Sequence, residues 1–513
     1  MIMNLPEEFC ARMKSVLGEE FDRFLASFED ERSYGLRINP LKVNIKDDKA
    51  VYSILTQPGI DIDPNVKIPW CDEGYYYSMD SCPGRSPFHE AGAYYIQEPS
   101  AMSVVTALDP KPGEKICDIC AAPGGKTTQI AGRMMGEGIL VSNEFVYERA
   151  KILSQNVERM GISNCVVTNN DPHEIAAVFP GYFDKVCVDA PCSGEGMFRK
   201  DDRAIEEWSE DNVKMCAERQ RNILEEASKT VRPGGTLVYS TCTFEPEENE
   251  DTIIWFLQGH TDWTLADTGL EAYSLQDHGI GNEMNYTTRI WPHHSGGEGH
   301  FIAKLIRNFD EDHAGRATGQ LNSDIKSSQI EYRSKKNNKR NMGSGKRETH
   351  KNDNKISLVS ISGFIKELLA GKMPEEHSGV IYKRLTELNG KMITEKNDHI
   401  YLLPDGLNEY MLTRLKTIRP GLELAEKKKD RYEPAHALAM ALKPSEALNC
   451  CNLSIVDAKR YISGNSITIK QNTCDFKRGQ WALVTVNGIS TGWGKYVDGV
   501  IKNHYPKGLR RLL

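Results

Sequence analysis

The 513-residue sequence predicts an α/β protein of several domains. A doubly wound parallel sheet forms the middle, an α+β unit precedes it, and a mixed α/β segment and a small β-rich module follow. Three observations carry this reading. Between about 93 and 307, strand-like runs alternate with helical patterns, as parallel sheets require. Residues 308–356 turn abruptly to Lys, Arg, Asn, Ser and Gly. After 357 ordered patterning returns, and the last 70 or so residues carry short β-like runs. The length favours three or four units, placed at 1–92, 93–307, 357–440 and 441–513, with 308–356 as a linker.

In the first unit, Phe21 to Phe28 sets apolar residues at helical spacing, and Tyr34 to Ile38 reads as a strand stopped by Asn39-Pro40. In the second, strands are expected at 115–119, 138–142, 164–168, 184–189 and 235–240, and helices at 126–135, 145–160, 212–231 and 247–258. Arg232-Pro233-Gly234-Gly235 reads as the turn into the last strand. In the final module, Ser466 to Lys470 and Trp481 to Val486 are the clearest strands.

Composition narrows the class. Hydrophobic content is 39%, ample for buried cores. No apolar run approaches the roughly 18 residues of a membrane span. The start, Met1 to Glu8, lacks the basic and apolar regions of a secretory signal, so a cytoplasmic protein is expected. Thirteen cysteines form an odd set without a regular framework, which suits free thiols in a reducing compartment. Cys117 and Cys120 have metal-ligand spacing, yet no second pair or His cluster completes a site, so no metal is expected. The net charge of −8 argues against a general nucleic-acid coat and leaves room for local basic surfaces. Residues 326–351 hold nine Lys or Arg against two Glu. Such a block is a solvated linker, a basic arm that holds RNA, or both.

The first central strand runs into Cys120-Ala121-Ala122-Pro123-Gly124-Gly125-Lys126-Thr127. Strand, small-residue turn and helix is how doubly wound folds hold nucleotide-like cofactors. A phosphate-binding P-loop is excluded because Cys120 stands where that motif needs glycine, and the dinucleotide pattern GxGxxG is absent. Glu144 ends the next strand, 19 residues after Gly125, where a carboxylate can accept both ribose hydroxyls. Asp171 follows the third strand, within reach of an adenine amino group, and Asp189 ends the fourth. Carboxylates after successive parallel strands gather at one sheet edge. Singly each is a solvated loop acid, but the set points to an S-adenosylmethionine site.

The fourth strand delivers Asp189-Ala190-Pro191-Cys192, and the fifth delivers Thr241-Cys242-Thr243. If the strands are neighbours, Cys192 and Cys242 face one pocket beside the cofactor. Carbon 5 of a pyrimidine is too poor a nucleophile to take a methyl group directly. A thiolate adding at carbon 6 makes an enamine whose carbon 5 can attack. A proton source at N3 assists the addition, and a base must later remove the carbon 5 proton. A free thiol titrates near about 8.5 and is lowered by a helix N-terminus or cations. Pro246 suggests a helix starting just after Cys242. Lys126, Arg199 or Lys200 would favour the thiolate, and Glu245, Glu247 and Glu248 would oppose it. The plain alternative is two small buried hydrophobes.

These motifs resemble the Nop/Sun family of RNA 5-methylcytosine methyltransferases. Leu36-Arg37-Ile38-Asn39-Pro40, Gln97-Glu98-Pro99-Ser100-Ala101-Met102, Arg289-Ile290-Trp291-Pro292-His293 and Gly297-Glu298-Gly299-His300-Phe301 extend the likeness over about 30–307. The tail, with Gly492-Trp493-Gly494-Lys495 and the segment from Lys502 to Arg511, looks like the end of bacterial members of RsmF type. These act on small-subunit (16S) ribosomal RNA and carry a PUA-like RNA-binding module. The resemblance implies a Rossmann-like methyltransferase domain, with Cys242 as nucleophile and Cys192 aiding product release. It also implies cofactor contacts from residues 120–126, Glu144, Asp171 and Asp189. Asp189 would reach the cytosine as well, and Lys126 would line the catalytic pocket. Ribosomal RNA or the small subunit is the expected partner and a monomer the expected state. Lys502, Lys507, Arg510 and Arg511 beside Tyr505 suit phosphate contacts, unless they are only a solvated basic end. Two other readings stand beside this one: an RNA-binding assembly protein with a vestigial methyltransferase domain, or the same chemistry on another RNA such as tRNA. A methyltransferase of base amino groups would need an Asn/Asp-Pro-Pro-aromatic motif, where this chain has Asp189-Ala190-Pro191-Cys192.

Overall fold

A computed structural model describes residues 5–309, apart from positions 58, 271–276, 279–283 and 296, and then 358–371, 379–469 and 476–513. The basic block at 326–351 lies outside the described residues. In the N-terminal unit, helices Glu7–Leu17 and Phe21–Ala26 precede a three-stranded antiparallel sheet. Its strands are β1 (Tyr34–Ile38), β2 (Gly74–Tyr77) and β3 (Tyr94–Ile96), in the order β2-β1-β3. The expected boundary at 92/93 leaves β3 with the next domain, but its pairing with β1 ties it to the N-terminal sheet.

The central sheet contains β4 (Lys115–Asp118), β5 (Ile139–Asn143), β6 (Cys165–Thr168), β7 (Phe183–Asp189), β8 (Val231–Thr241), β9 (Trp263–Ala266), β10 (Asp277–His278), β11 (Thr288–Ile290) and β12 (His300–Arg307). Strands β4 to β8 are mutually parallel, and β12 runs antiparallel against β8. Across the sheet the order is β10-β11-β12-β8-β7-β4-β5-β6, with β9 on β12. The chain leaves β4 towards β6 and returns to β7 on the other side, so the strand order reverses between β4 and β7. Ligands of doubly wound sheets bind at the strand ends of that switch point. Alternate residues feed two cores. Ile116, Leu140 and Cys187 pack on one face, and Cys117, Val141, Val186 and Val188 on the other.

Two expectations change here. Arg232 to Gly235 is not a separate turn but an irregularity inside β8: Phe183 pairs with Val231, and Lys185 pairs with Thr236. Gly234 adopts φ +73°, a conformation glycine permits, so the extra residues loop out without ending the strand. The helix expected just after Cys242 starts only at Glu250 and runs to Gly259. Residues 245–249 instead form turns closed by bonds such as Asp251 N to Pro246 O, 3.0 Å.

Beyond the linker, a four-stranded sheet of order β13-β14-β16-β17 uses β13 (Ile393–Lys396), β14 (His399–Leu402), β16 (Leu422–Lys427) and β17 (Tyr432–Pro434). The intervening β15 (Thr417–Arg419) leaves this sheet and pairs antiparallel with β6, extending the central one. The last module is a five-stranded sheet of order β18-β20-β21-β22-β19, built from β18 (Cys450–Leu453), β19 (Ile467–Thr468), β20 (Trp481–Val486), β21 (Ile489–Val497) and β22 (Val500–Asn503). Its core merges with the N-terminal one: Leu36, Tyr75 and Phe88 belong to the same cluster as Val484, Ile501 and Tyr505.

Candidate active site

The loop after β4 is shaped by its glycines. Gly124 takes φ +115°, and the helix Gly125–Met134 begins at once. A Cβ on Gly125 would sit 3.3 Å from the Gln97 side chain. The fully buried Arg37 holds this junction from below. It donates to Gln97 Oε1 (2.8 Å), Gly125 O (2.9 Å) and Thr128 Oγ1 (2.9 Å). Beneath the loop, Thr127 Oγ1 donates to Asp118 Oδ2 at 2.7 Å. Burial pushes the Asp118 carboxyl up to about 7.

Glu144 is buried at the end of β5 and faces this loop. Its Oε1 accepts Val146 N at 2.9 Å, and its Oε2 lies 3.4 Å from Ala122 N and 3.6 Å from Arg149 Nη1. A fixed carboxylate beside a small-residue loop at the switch point fits the ribose end of an adenosyl cofactor. Asp171 is exposed after β6 and caps the helix Pro172–Val178, accepting His173 N at 2.9 Å.

Asp189 ends β7 on the other side of the switch point. Lys126 Nζ donates to its Oδ2 at 2.6 Å, and Ser240 Oγ to its Oδ1 at 2.9 Å. His300 Nε2 is 3.5 Å from the same Oδ1, long for a hydrogen bond. Burial alone would raise the Asp189 pKa, but the Lys126 ammonium outweighs it and holds the carboxyl well below its usual range. Lys126 is correspondingly kept charged: burial would lower its pKa and Asp189 raises it more.

β7 and β8 are adjacent and in register, Asp189 opposite Ser240, so their following loops run side by side. Cys192 Sγ and Cys242 Sγ lie 3.3 Å apart, both partly buried. Ser193 Oγ and Thr243 Oγ1 are hydrogen-bonded at 2.7 Å, and Gly196 N donates to Cys242 O at 2.8 Å. The bond to the Cys242 sulfur, and then burial, push the Cys192 thiol well above its ordinary value.

The remaining charges differ from expectation. Glu245 is fully buried and takes both oxygens to Arg12 (2.8 and 2.9 Å from Nε). Arg199 donates to Glu298 Oε2 (3.1 Å) and Gly297 O (2.6 Å), so it braces the 297–300 segment. Glu248 is buried beside the loop after β7, and burial pushes its carboxyl up to about 7. Arg289 holds Glu250 with two bonds (2.6 and 2.7 Å) and donates to Phe244 O at 2.9 Å, fixing the segment that leaves Cys242. In the tail, Tyr505 is buried and Arg510 donates to its carbonyl oxygen. Arg511 pairs with Glu90. Tyr505 is thus structural and Arg510 half-buried, while Lys502, Lys507 and Arg511 stay exposed.

The sequence singled out the Gly loop, Glu144, Asp189 and both cysteines, and the fold gathers them at one sheet edge. It did not single out Ser240 or His300 individually, although both stand inside quoted motifs. Nothing local marks Arg12, which arrives from the first helix, 233 positions from Glu245.

A group of metal-ligand type lies elsewhere. Glu20, His293 and His294 bring three ligand atoms within 4.8 Å of one another. Both rings bond Glu20 Oε2, at 3.1 and 2.8 Å, and the buried His293 Nδ1 has no partner among the described residues.

Comparison with known proteins decides the family. The profile described as 16S rRNA methyltransferase RsmB/F matches residues 105–306. Profiles for the RsmF N-terminal domain, first C-terminal domain and PUA domain match 5–99, 380–442 and 448–511. The Ribosomal RNA small subunit methyltransferase F of Vibrio campbellii is 31% identical over 99% of this chain and 98% of its own. The chain belongs to the RsmB/F family of rRNA methyltransferases. The protein of the same description from Escherichia coli is 30% identical over 99% of this chain and 96% of its own. A crystal structure of a methyltransferase homolog from Pyrococcus horikoshii superposes with TM-score 0.51, at 31% identity, covering 60% of this chain and 96% of that one. The crystal structure of NSun6 from the same organism with SFG shares the fold at 22% identity and TM-score 0.50, covering 60% of this chain and 100% of that one. The RsmB/F chain is thus an S-adenosylmethionine-dependent RNA methyltransferase with a PUA domain. Among its described residues no helix is long and apolar enough to cross a membrane.

Proposed function

We propose that this enzyme methylates carbon 5 of a cytosine in small-subunit (16S) ribosomal RNA through a covalent bond from Cys242 to carbon 6. The carrying observation is the pair of thiols 3.3 Å apart at the ends of adjacent strands, next to an ionised carboxylate and the glycine loop. S-adenosylmethionine, held by residues 120–126, Glu144, Asp171 and Asp189, supplies an electrophilic methyl group. Asp189, kept ionised by Lys126, accepts an N–H from the cytosine amino group. Lys126, kept protonated, lies beside it as a proton donor to the ring. The Cys242 thiol gives its proton to a base and its sulfur bonds to carbon 6; the C5–C6 π electrons move to carbon 5, which would take the methyl group as the methyl–sulfonium bond breaks and its electrons stay on the cofactor's sulfur. The carbon 5 proton then passes to a base. The C5–C6 double bond re-forms as the S–C6 bond breaks, returning its electrons to Cys242. Cys192 donates to the Cys242 sulfur and stabilises the departing thiolate.

A cytosine must leave its stack to meet partly buried thiols, which favours a loop, bulge or end of the RNA. The reading places the enzyme in the cytoplasm, with ribosomes, as a monomer. Mapping 5-methylcytosine in small-subunit RNA with and without the protein tests the substrate. Cys242→Ala is expected to abolish methylation and the adduct with 5-fluorocytosine RNA, whereas Cys192→Ala accumulates an adduct. Full turnover by Cys242→Ala would defeat the assignment.

A further inference from the structure

Cys192 sits on a loop that must leave β7, present a thiol to Cys242, and still satisfy its own buried peptide groups. Two side chains remote from the cofactor solve this. Glu248 Oε2 accepts Ser193 N at 3.1 Å. Gln220, on the helix Glu210–Thr230, donates from Nε2 to the same Oε2 at 2.6 Å and to Pro191 O at 3.1 Å. The carboxylate and the amide therefore grip the peptide groups on both sides of Cys192. Both side chains are fully buried. Tyr239 on β8 donates to the Glu248 main-chain carbonyl at 2.6 Å, so the Glu248 backbone is anchored to the strand that leads into Cys242. One clamp thus sets the loop of one thiol against the strand of the other.

We infer that Glu248, with Gln220, is a positioning residue for product release: it keeps the Cys192 thiol on the Cys242 sulfur while touching neither substrate nor cofactor. This rests on the release role of Cys192 given above. Hydrogen bonding of buried peptide groups is obligatory, so loss of the clamp lets the Pro191–Ser193 segment shift. A displacement of about 1 Å costs a catalytic group on the order of 100-fold. The nucleophile lies in the loop after β8, where Arg289 holds Phe244 O and Gly196 N, three residues beyond the clamped segment, holds Cys242 O, so adduct formation and methyl transfer proceed.

The test uses full-length protein, unmodified small-subunit RNA transcript and S-adenosylmethionine. Single-turnover methyl transfer is measured alongside denaturing gels that retain covalent protein–RNA complexes. Glu248→Ala is expected to accumulate the complex, as Cys192→Ala does, with steady-state turnover down about 100-fold and first-turnover transfer nearly intact. Glu248→Gln retains an acceptor for Ser193 N and is expected to recover release relative to Glu248→Ala. If Glu248→Ala does not fold, Gln220→Ala, which frees Pro191 O, must trap the complex instead. Parallel loss of adduct and methylation, or release at the normal rate, overturns the inference. If Cys192→Ala itself fails to trap RNA, the release role of Cys192 falls and this inference with it. Trapping by Cys192→Ala but by neither clamp variant overturns the clamp alone.

Discussion

Glu158→Gln removes one negative charge from the joint between the catalytic domain and everything after the linker. Glu158 lies on the helix Tyr147–Arg159. Arg419 on β15 and His436 both bond it, the latter at 3.0 Å, and His436 Nε2 lies 3.2 Å from Thr491 O in the last module. Burial would raise the Glu158 pKa, but Arg419 and then His436 lower it to about 2, from 4.5. At 1.36 kcal/mol per pH unit, that difference corresponds to about 3 kcal/mol. Breaking a buried pair from one side costs a similar ~3–5 kcal/mol. Because the docked value is depressed, this stabilisation is present above the undocked pKa and is lost as pH falls from about 4.5 towards 2. Hydrogen exchange at about pH 7 is therefore expected to show opening of residues 380–442 and 448–511 made easier by about 3 kcal/mol, with β4 and β7 little changed. At about pH 3 the gap between wild type and variant should shrink to half or less. Equal protection in both proteins at pH 7, or a gap that widens on acidification, would refute the reasoning.

Two further variants probe the site. Gly196→Ala places a Cβ 2.7 Å from Glu298 O and 2.9 Å from Cys242 O, both backbone atoms that cannot swing away. Turnover is expected to drop on the order of 100-fold with cofactor affinity unchanged by calorimetry; normal turnover would show that the contact is slack. Arg37→Met leaves Gly125 O and Gln97 without their buried donor, at a cost of about 3 kcal/mol. Denaturant melts should show that loss together with weaker S-adenosylmethionine binding, and unaltered affinity would separate Arg37 from the loop.

The catalytic half was legible because its signals are local. Strand runs alternate with helices, a small-residue turn follows the first strand, and two cysteines stand at strand ends, where neighbouring parallel strands bring them together. Pro246 misled because a proline that suits a first helical turn also suits the tight turns observed at 245–249. The charges around Cys242 were unreadable for another reason. Glu245 is answered by Arg12, 233 positions away, and no window of sequence contains both. Tyr505 among lysines and arginines looks like an RNA contact, yet it is buried against Tyr461 and His436. That outcome depends on how the last sheet closes over the N-terminal one.

The pairing of β15 with β6 bears on how the protein is made. Thr417 lies opposite Thr168, and Lys416 N donates to Asn170 Oδ1 at 3.0 Å, joining residues 246 positions apart. During synthesis the N-terminal part folds first, so the catalytic sheet emerges from the ribosome with one flank bare. An uncovered strand edge recruits other strands. A chain cut at the linker keeps every reacting group yet exposes that flank permanently, and its expected fate is self-association.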